Sequence, residues 1–448
     1  MRTERRRTLL LATVAATAAA LLSACGSSGT SAEGRTQITV GCMPPKSDEI
    51  THANFAEDIA AFEKANPDID VVGKPTSTCQ DPQTFEAKLA GGQMEDVFYA
   101  YFTDIKHVID VGRAADITEQ AEKAGALDGV KDTILPHLKG EDGRIYALPR
   151  TNYATGLVYN RSLFRKAGLD PDKPPTTWEQ VRSYADKIAA LGDGVVGYAD
   201  YSAKNQGGWH FAMEVFAHGG QMVTQNGKQA AFDDTHGEQV LQVLHDMRWQ
   251  DDSMGSKQLL TIPDVQQKMA AGKVGMYLGA PDNIIAIVDN YGGSYKTYGL
   301  GPMPGEGAAL AGGDVYLFHP ESTPEQIEAG VKWLMFQQLT PGKGQFDYER
   351  AHAKNQAVGI PQPDLLTGEK AAEVAKLRKK YGTVPAQNVS PFVEAMQSKE
   401  LAFEPPQAQK IYSVLDGVMS TVLTKRDANI DQLLSDAADK VDGILGGP

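Results

Sequence analysis

Positive charge and long apolar runs are both scarce in this chain of 448 residues. Lys and Arg total 43 against 57 Asp and Glu, and the formal net charge is −14. Proteins that bind nucleic acid rely mainly on Lys and Arg to neutralise phosphates, so no nucleic-acid partner is expected. Beyond the N-terminal segment, no stretch of roughly 18 apolar residues predicts a membrane-spanning helix.

Familiar catalytic and metal-binding motifs are also missing. The sequence contains no G-x-S-x-G, no H-E-x-x-H and no G-x-x-x-x-G-K-[ST], and its nine histidines show no spacing typical of metal ligands. Asp68 and Asp70 lack the central glycine of a calcium-binding loop. We therefore expect no metal, no cofactor and no catalysis, with a glycoside hydrolase built on paired carboxylates as the alternative from another class.

The N-terminal segment has the pattern of an export signal. Four arginines at positions 2, 5, 6 and 7 precede residues 8–22, which carry no charge. This apolar run is shorter than the roughly 20 residues of a permanent membrane helix, so residues 1–24 are predicted to be a cleavable signal peptide. The arginines leave open whether export follows the general secretory or the twin-arginine route.

One of only three cysteines ends this segment. The residues Leu22-Ser23-Ala24-Cys25 resemble the lipobox of bacterial lipoproteins, in which the cysteine receives a diacylglycerol and becomes the new N-terminus. The resemblance implies that Cys25 carries lipid, which two or three acyl chains would hold durably in the membrane. The Gly/Ser-rich residues 25–36 then read as a flexible tether, and the protein is expected at the extracytoplasmic face of the cell membrane. The alternative is an ordinary secretory signal with an incidental cysteine.

The other two cysteines, Cys42 and Cys79, each follow a predicted strand, at 37–40 and 69–72. In an oxidising compartment two remaining cysteines most simply pair with each other. If the two strands are parallel neighbours, both cysteines lie beyond the same edge of the sheet, so a Cys42–Cys79 disulfide is predicted. Two free thiols are the alternative.

Hydrophobic periodicity alternates between strands and helices along most of the chain. Helical spacing at 51–65 separates the first two strands, and a third strand is predicted at 96–101. Alternation of this kind predicts an α/β fold with mostly parallel sheets. The body of the chain is too long for one ordinary core, which favours two lobes with a ligand cleft between them.

Several segments resemble a known family, and they occur along the chain in the same order as in that family. They are RIYALP at 144–149, GLVYN at 156–160, LFRKAGL at 163–169, PTTWE at 175–179, MAAGKVGM at 269–276 and GPMPG at 301–305. Together they resemble the extracellular solute-binding proteins of carbohydrate ABC importers, the group that includes maltose-binding protein.

This resemblance implies a two-lobed, periplasmic-binding-protein-like fold of type II, with discontinuous lobes joined by a three-segment hinge. The N-terminal lobe is expected at 37–152 and 297–340 and the C-terminal lobe at 153–296 and 341–448. Hinge crossings are expected near 152–158, 288–297 and 338–344. The implied function is capture of a sugar, an oligosaccharide by preference, by a monomer that delivers it to the permease of an ABC transporter. The acidic composition keeps a cationic solute such as a polyamine open.

A sugar needs planar polar partners for its hydroxyls and aromatic faces for its C–H patches. After the third strand, Tyr101 and Asp104 are candidate contacts, although either Tyr99 or Tyr101 could be a core residue and Asp104 could cap the next helix. At the expected hinge, Asn152 and Tyr153 supply an amide and an aromatic ring. Many relatives carry an acidic residue at this point, which this chain lacks.

Trp209 is the leading candidate for a stacking platform, with burial at a helix start as the alternative. Its neighbour His210 is expected to be an ordinary core or surface histidine, and Trp178 a core residue. The remaining candidates lie in loops or late in the chain, and Asp282 could equally cap a helix; they are Asp282, Asn283, Gly313, Asp314, Lys46 and Tyr412. Glycine at 312 and 313 would let a ligand approach the backbone, or would simply make a turn.

Overall fold

The computed structural model describes residues 30–31, 34–75, 82–204 and 206–446. The predicted signal peptide, Cys25 and Cys79 lie outside the described residues. Lipid attachment and the pairing of Cys42 with Cys79 therefore stay predictions.

The first sheet has six strands within the described residues, in the order β10-β9-β3-β1-β2 with β4 added on β9. These strands are β1 (Thr36–Val40), β2 (Ile69–Gly73), β3 (Val97–Tyr101), β4 (Ala147–Ala154), β9 (Ala309–Phe318) and β10 (Leu401–Phe403). The pairs β1–β2 and β1–β3 are parallel, as the β-α-β pattern predicts. Strands β3 and β4 run antiparallel to β9.

The second sheet has the order β6-β7-β5-β8. Its strands are β5 (Gly156–Asn160), β6 (Val196–Tyr198), β7 (Val274–Gly279) and β8 (Tyr298–Gly301). Strand β5 pairs antiparallel with both β7 and β8, whereas β6 and β7 are parallel. All residues of β5, β7 and β8 are buried, because helices cover both faces of this sheet.

The helix predicted at 51–65 is present, and helices alternate with the strands along the chain. They are α1 (Glu49–Ala65), α2 (Pro82–Gly91), α3 (Ile105–Asp110), α4 (Thr118–Ala124), α5 (Arg161–Lys166), α6 (Trp178–Ala189), α7 (Gln206–Ala217), α8 (Thr235–Trp249), α9 (Ile262–Ala270), α10 (Asn283–Tyr291), α11 (Pro324–Leu334), α12 (Tyr348–Ala353), α13 (Gly368–Tyr381), α14 (Ser390–Ala395), α15 (Ala408–Thr424) and α16 (Ile430–Leu445). A π-helical turn, Met335–Leu339, extends α11. Across the described residues, no helix combines the length and apolar character that crossing a bilayer requires.

Side-chain caps explain where several helices begin. The hydroxyl of Thr177 accepts a hydrogen bond from the backbone N–H of Gln180 at 3.3 Å and so caps α6. The side-chain oxygen of Gln180 in turn accepts a hydrogen bond from the backbone N–H of Thr176, and not from that of Thr177. Trp178, directly after the cap, is 5% exposed and packs in the core, which confirms the prediction.

Each sheet is packed on both faces, which makes two lobes. In the first lobe, Trp333 packs with Phe55 and Phe62 of α1 on one face, and Phe98 packs among the apolar side chains on the other. In the second lobe, a large core joins β5 and α6 to α7, α8, α15 and α16. The C-terminal helices therefore complete the second lobe.

The chain crosses between the lobes where β4 ends and β5 begins, at Thr155, within the predicted crossing at 152–158. Thr155 is fully buried and bonds the carbonyl of Leu310 through both its N–H and its hydroxyl. These two hydrogen bonds to β9 hold the crossing segment in place.

The other crossings differ from those predicted. Strand β8 belongs to the second sheet, so the chain returns to the first lobe at 302–308, not at 288–297. Contrary to the prediction, the chain does not pass directly into the second lobe after residue 340. Phe346 and Val374 still pack in the first lobe, and the chain reaches the second lobe by Val389. Strand β10 then pairs with β9 in the first sheet. The discontinuous boundaries could not be read from the sequence because they depend on these strand pairings.

Candidate functional site

Polar and aromatic side chains from both lobes meet in a region that we call the interlobe cleft. It comprises Tyr99, Tyr101, Asp104, Arg150, Tyr153, Trp209, Asp282, Asp314, Glu404 and Tyr412. Tyr101 and Asp104 line a cavity of about 500 Å³ whose opposite wall includes Lys410 and Ser413 of α15. The first sheet and the C-terminal helices therefore enclose one space.

Asp314 is the centre of the hydrogen-bonding network in the cleft. Its Oδ1 accepts a hydrogen bond from the hydroxyl of Tyr99 at 2.8 Å. Its Oδ2 accepts from Arg150 at 2.7 Å and from the hydroxyl of Thr151 at 3.0 Å. Both carboxylate oxygens are thus occupied by protein donors. Asp314 was predicted as a ligand contact, and the structure shows that it also holds three neighbouring side chains in place.

The two tyrosines of β3 have separate roles. Tyr99 is 4% exposed and bonds Asp314, whereas Tyr101 is half-buried and meets Tyr99 edge to face at 5.3 Å. Burial raises the pKa of the Tyr101 hydroxyl, and the nearby Asp314 carboxylate adds to the shift. Tyr101 is therefore the tyrosine that remains accessible, as a neutral hydroxyl.

Asp104 and Asp282 both stand at helix starts, and neither uses its side chain as a cap. Burial among protein atoms raises the pKa of Asp104 to about 6. Desolvation also raises the pKa of Asp282, and the charge on Asp314 adds to the shift. The side chain of Asp282 nevertheless remains accessible to water. The capping alternative fails for both residues. Oδ1 of Asp282 instead accepts a hydrogen bond from the side-chain amide of Asn283 at 3.4 Å.

Glu404 was missed by the sequence analysis. It directly follows β10, a three-residue strand that the sequence did not predict. Its carboxylate accepts a hydrogen bond from the hydroxyl of Tyr412 at 3.1 Å, and Tyr412 is buried. Burial raises the pKa of Glu404 to about 7, with Asp104 and Asp314 adding to the shift. Tyr412 is therefore a buried member of the cleft and supports Glu404.

Trp209 and Tyr153 form the aromatic part of the cleft. Their rings lie 6.2 Å apart in an edge-to-face arrangement, and Trp209 also stacks on Tyr201 at 6.3 Å. Gly208 makes this placement possible, because a Cβ at that position would collide with the backbone of Tyr412. The close approach of α7 to α15 thereby carries the half-buried Trp209 to the cleft.

The remaining predicted contacts are placed less favourably. Asn152 lies on the opposite face of β4 from Tyr153 and lines a separate cavity of about 160 Å³. Asn283 is buried, and its side-chain oxygen accepts hydrogen bonds from Gln266 and Tyr277. Lys46 is exposed in the loop before α1. Their roles as ligand contacts stay predictions.

Gly313 is closely packed within the first lobe. A Cβ at this position would collide with the ring of Phe102, so glycine is needed there for packing. The role of Gly313 as a ligand contact stays a prediction. Its neighbour Gly312 faces the cleft instead, where a Cβ would lie 2.5 Å from the hydroxyl of Tyr153 and 2.9 Å from Glu404. Because side chains alternate along β9, the two glycines point to opposite faces of the strand.

Solved structures with the same fold confirm the two-lobed α/β architecture. An ABC transporter solute-binding protein from Thermotoga lettingae, bound to alpha-D-tagatose, has a TM-score of 0.71 and 19% identity, covering 92% of this chain and 100% of its own. A Listeria monocytogenes substrate-binding protein in complex with cycloalternan has a TM-score of 0.72 and 17% identity, covering 92% and 99%. Maltose-bound MalE3 from T. maritima has a TM-score of 0.71 and 18% identity, covering 91% and 99%.

Sequence comparison gives a shorter match to curated relatives. The sn-glycerol-3-phosphate-binding periplasmic protein UgpB of Escherichia coli strain K12 is 28% identical over 143 residues. The Salmonella typhimurium protein of the same name is 27% identical over the same length. Each match covers 29% of this chain and 31% of the relative. Residues 47–337 also match the family model for bacterial extracellular solute-binding proteins. Since this match covers more than half of the sequence, the chain belongs to the bacterial extracellular solute-binding proteins.

Proposed function

We propose that the protein captures a neutral sugar, an oligosaccharide by preference, in the interlobe cleft and delivers it to the permease of an ABC importer. The observation that carries this proposal is the meeting of aromatic rings and carboxylates from both lobes in one cleft. Carboxylates accept hydrogen bonds from sugar hydroxyls, and Trp209 and Tyr153 offer apolar faces for C–H patches.

The charge of the cleft supports a neutral ligand over a phosphorylated one. Arg150 already pairs with Asp314 at 2.7 Å, so its charge is largely offset. A phosphate would meet the carboxylates of Asp104, Asp314 and Glu404, and like charges at short range repel. The ligand named for UgpB is therefore not the one that this cleft favours.

Closure of the lobes is the proposed means of signalling. A ligand that touches Tyr101 on the first sheet and Trp209 on α7 contacts both lobes only when they approach each other. Such a ligand stabilises the closed state by the difference between its affinities for the two states. The permease would then recognise the closed form.

The proposal includes attachment to the membrane through lipid on Cys25, a monomeric state, and the pairing of Cys42 with Cys79. The thiol of Cys42 is not free, which supports the disulfide. The lobes would comprise the segments assigned by the sequence analysis, with the shifts noted for β8, β10 and residues 341–381. Mass spectrometry of the membrane-extracted protein and of its non-reduced peptides tests lipid and disulfide directly.

A thermal-shift screen of the purified protein over mono- and oligosaccharides tests the sugar assignment, because a ligand that binds only the native state raises the melting temperature. Calorimetry then measures the affinity of the best ligand, and chromatography of the mixture checks that it stays intact. No shift with any carbohydrate would refute the sugar assignment. Cleaved products would instead favour the glycoside hydrolase.

The raised pKa values in the cleft give a separate test for the second candidate, a cationic solute. As pH rises through about 7, Glu404 loses its proton and the cleft becomes more negative. A polyamine should then bind more tightly at pH 8 than at pH 6, whereas the affinity for a neutral sugar should change little. Spermidine binding that strengthens with pH, in the absence of any sugar binding, would replace the first proposal with this one.

A further inference from the structure

Three side chains with the chemistry of metal ligands lie together in the second lobe, beneath Trp209. Asp200 follows β6, and His210 and Glu214 are one turn apart on α7. Their exposed fractions are 1%, 0% and 0%. One potential ligand atom from each residue lies within 4.8 Å of the other two.

Most of the polar atoms in this cluster have no partner. The Nδ1 atom of His210 lies 3.0 Å from Oδ2 of Asp200, which is a hydrogen bond. The other atoms have none: Oδ1 of Asp200, Nε2 of His210 and both carboxylate oxygens of Glu214. Buried polar atoms are nearly always hydrogen-bonded, so several orphans in one place point to a missing partner.

Hydroxyl groups around the cluster repeat the pattern. The hydroxyls of Tyr198, Tyr201 and Ser202 are buried without a hydrogen-bond partner. The hydroxyl of Tyr198 lies beside Glu214, yet the geometry does not complete a hydrogen bond. The Tyr198 oxygen is available as a further ligand or as a donor to the Glu214 carboxylate.

The cluster also lacks compensating charge. Among the described residues, neither Asp200 nor Glu214 forms an ion pair with Lys or Arg. An uncompensated buried carboxylate is costly, and it ordinarily gains a proton or a cation. A divalent cation bound by two carboxylates and a neutral imidazole leaves the site without net charge.

We propose that Asp200, His210 and Glu214 form a buried site for a divalent transition-metal cation of the zinc class. One imidazole nitrogen and two carboxylate oxygens suit Zn²⁺, whereas Ca²⁺ and Mg²⁺ prefer sites made of oxygen alone. The hydroxyl of Tyr198, or a water molecule, would complete the coordination.

The position of the site gives it a structural consequence. His210 directly follows Trp209, and the ring of Tyr201 lies 4.1 Å from that of His210 and 6.3 Å from that of Trp209. A cation at the site would hold the first turns of α7 against the loop after β6. It would therefore fix the orientation of Trp209 at the cleft without touching the ligand.

Binding of Zn²⁺ to the whole protein tests the site without reference to any sugar. The full chain is unfolded in guanidinium with a chelator, refolded, dialysed and titrated with ZnCl₂ by calorimetry, followed by elemental analysis. We expect one bound Zn²⁺ per chain and a higher melting temperature, with no comparable effect of Ca²⁺. The absence of bound Zn²⁺ and of any shift would overturn the proposal, and a protonated Glu214 would then neutralise the cluster.

Variants assign the binding to this cluster. Glu214→Gln and His210→Asn should weaken Zn²⁺ binding by roughly 100-fold or more, since both remove a ligand. His236→Asn is the matched control, because His236 also pairs with an aspartate, Asp234, at 2.7 Å but is partly exposed. Unchanged Zn²⁺ binding in the first two variants would place the metal elsewhere and refute the site.

A spectroscopic measurement covers the case in which the buried variants fail to fold. X-ray absorption at the zinc edge of the wild-type protein should show one imidazole among oxygen ligands. A spectrum with sulfur or with several imidazoles would contradict the assignment. Removal of the metal should also weaken ligand binding through Trp209, but only this last readout depends on the proposed function.

Discussion

The molecule gathers carboxylates in two places, and their surroundings differ. In the interlobe cleft, Asp314 has donors on both oxygens, and Glu404 accepts a hydrogen bond from Tyr412. In the buried cluster, Glu214 has no donor on either oxygen. The cleft has an internal cation, Arg150, whereas no Lys or Arg pairs with the buried cluster within the described part of the chain.

The difference indicates that the two groups of carboxylates suit different kinds of ligand. In the cleft the carboxylates of Asp314 and Glu404 already have protein donors, and the cleft opens to water, so it suits a solute that binds and dissociates. The buried cluster is incomplete and closed, so it suits a partner that enters during folding and stays. Four predictions, ordered by expected effect, examine this contrast.

Loss of the internal cation of the cleft should have the largest effect. Arg150→Met keeps the alkyl stem but leaves Asp314 with a carboxylate that is only partly compensated by Tyr99 and Thr151. The side chain of Arg150 is 35% exposed and that of Asp314 is 11% exposed, so the variant leaves a largely buried carboxylate without its cation. We expect the free energy of unfolding to fall by about 2 kcal/mol, less than for a fully buried pair. Urea denaturation measures this change.

The control for that variant is a second substitution. Asp314→Asn in the Arg150→Met background removes the uncompensated charge and should recover most of the lost stability. A double variant as unstable as the single one would show that Arg150 stabilises the protein through packing alone.

The aromatic platform should have the next largest effect, on binding instead of stability. Trp209→Ala should weaken the best sugar by about tenfold, which corresponds to roughly 1.4 kcal/mol. Trp209→Phe keeps an aromatic face and should lose much less. Isothermal titration calorimetry compares the three proteins, and equal affinities would remove Trp209 from the site.

The raised pKa of Glu404 predicts a moderate dependence of stability on pH. The carboxyl has an ordinary value of 4.5 and about 7 in the folded protein, so between these values only the unfolded state loses its proton. The free energy of unfolding should therefore fall as pH rises from about 4.5 to 7, and the neutral carboxyl stabilises the fold fully only below this window.

Glu404→Gln removes this titration and keeps an acceptor for the hydroxyl of Tyr412. The melting temperature of the variant should fall less between pH 5 and pH 8 than that of the wild type. Asp104, whose pKa is raised to about 6, retains part of the dependence. Parallel melting profiles for the two proteins over this range would contradict the prediction.

The smallest effect is expected for the exposed histidine pair. His236→Asn removes a contact with Asp234 at the surface, where ion pairs contribute little. The free energy of unfolding should change by less than about 0.5 kcal/mol, and sugar affinity should not change. A larger loss would mean that the environment of this pair resembles that of Asp200 and His210 more than the structure indicates.

Local pattern predicted much of the architecture, but strand pairing decided the boundaries. The helix at 51–65, the cap at Thr177 and the burial of Trp178 follow from periodicity and side-chain chemistry, and the structure confirms them. The position of β8 in the second sheet could not be predicted, because a four-residue strand can pair in either lobe with the same local sequence.

The candidate site shows the same division. Trp209, Tyr101 and Asp314 are visible in the sequence as polar or aromatic residues suited to a sugar. In the structure Tyr101 ends β3 and Trp209 lies near the start of α7, but Asp314 lies within β9 and not in the predicted loop. Glu404 was not visible, since its strand is too short to give a pattern. The roles of Gly312 and Gly313 depend on which face of β9 meets the cleft, and that face is set by the partners of the strand.

The sequence by itself determined the α/β alternation, the acidic surface and the family to which the chain belongs, because these depend on composition, period and local motifs. Only the tertiary structure decided which carboxylates meet donors and which stay orphaned. His210 and Glu214 are four residues apart and visibly on one helical face, yet Asp200 joins them only through the packing of α7 against the loop after β6. Proximity between elements is a product of packing, and no spacing along the chain encodes it.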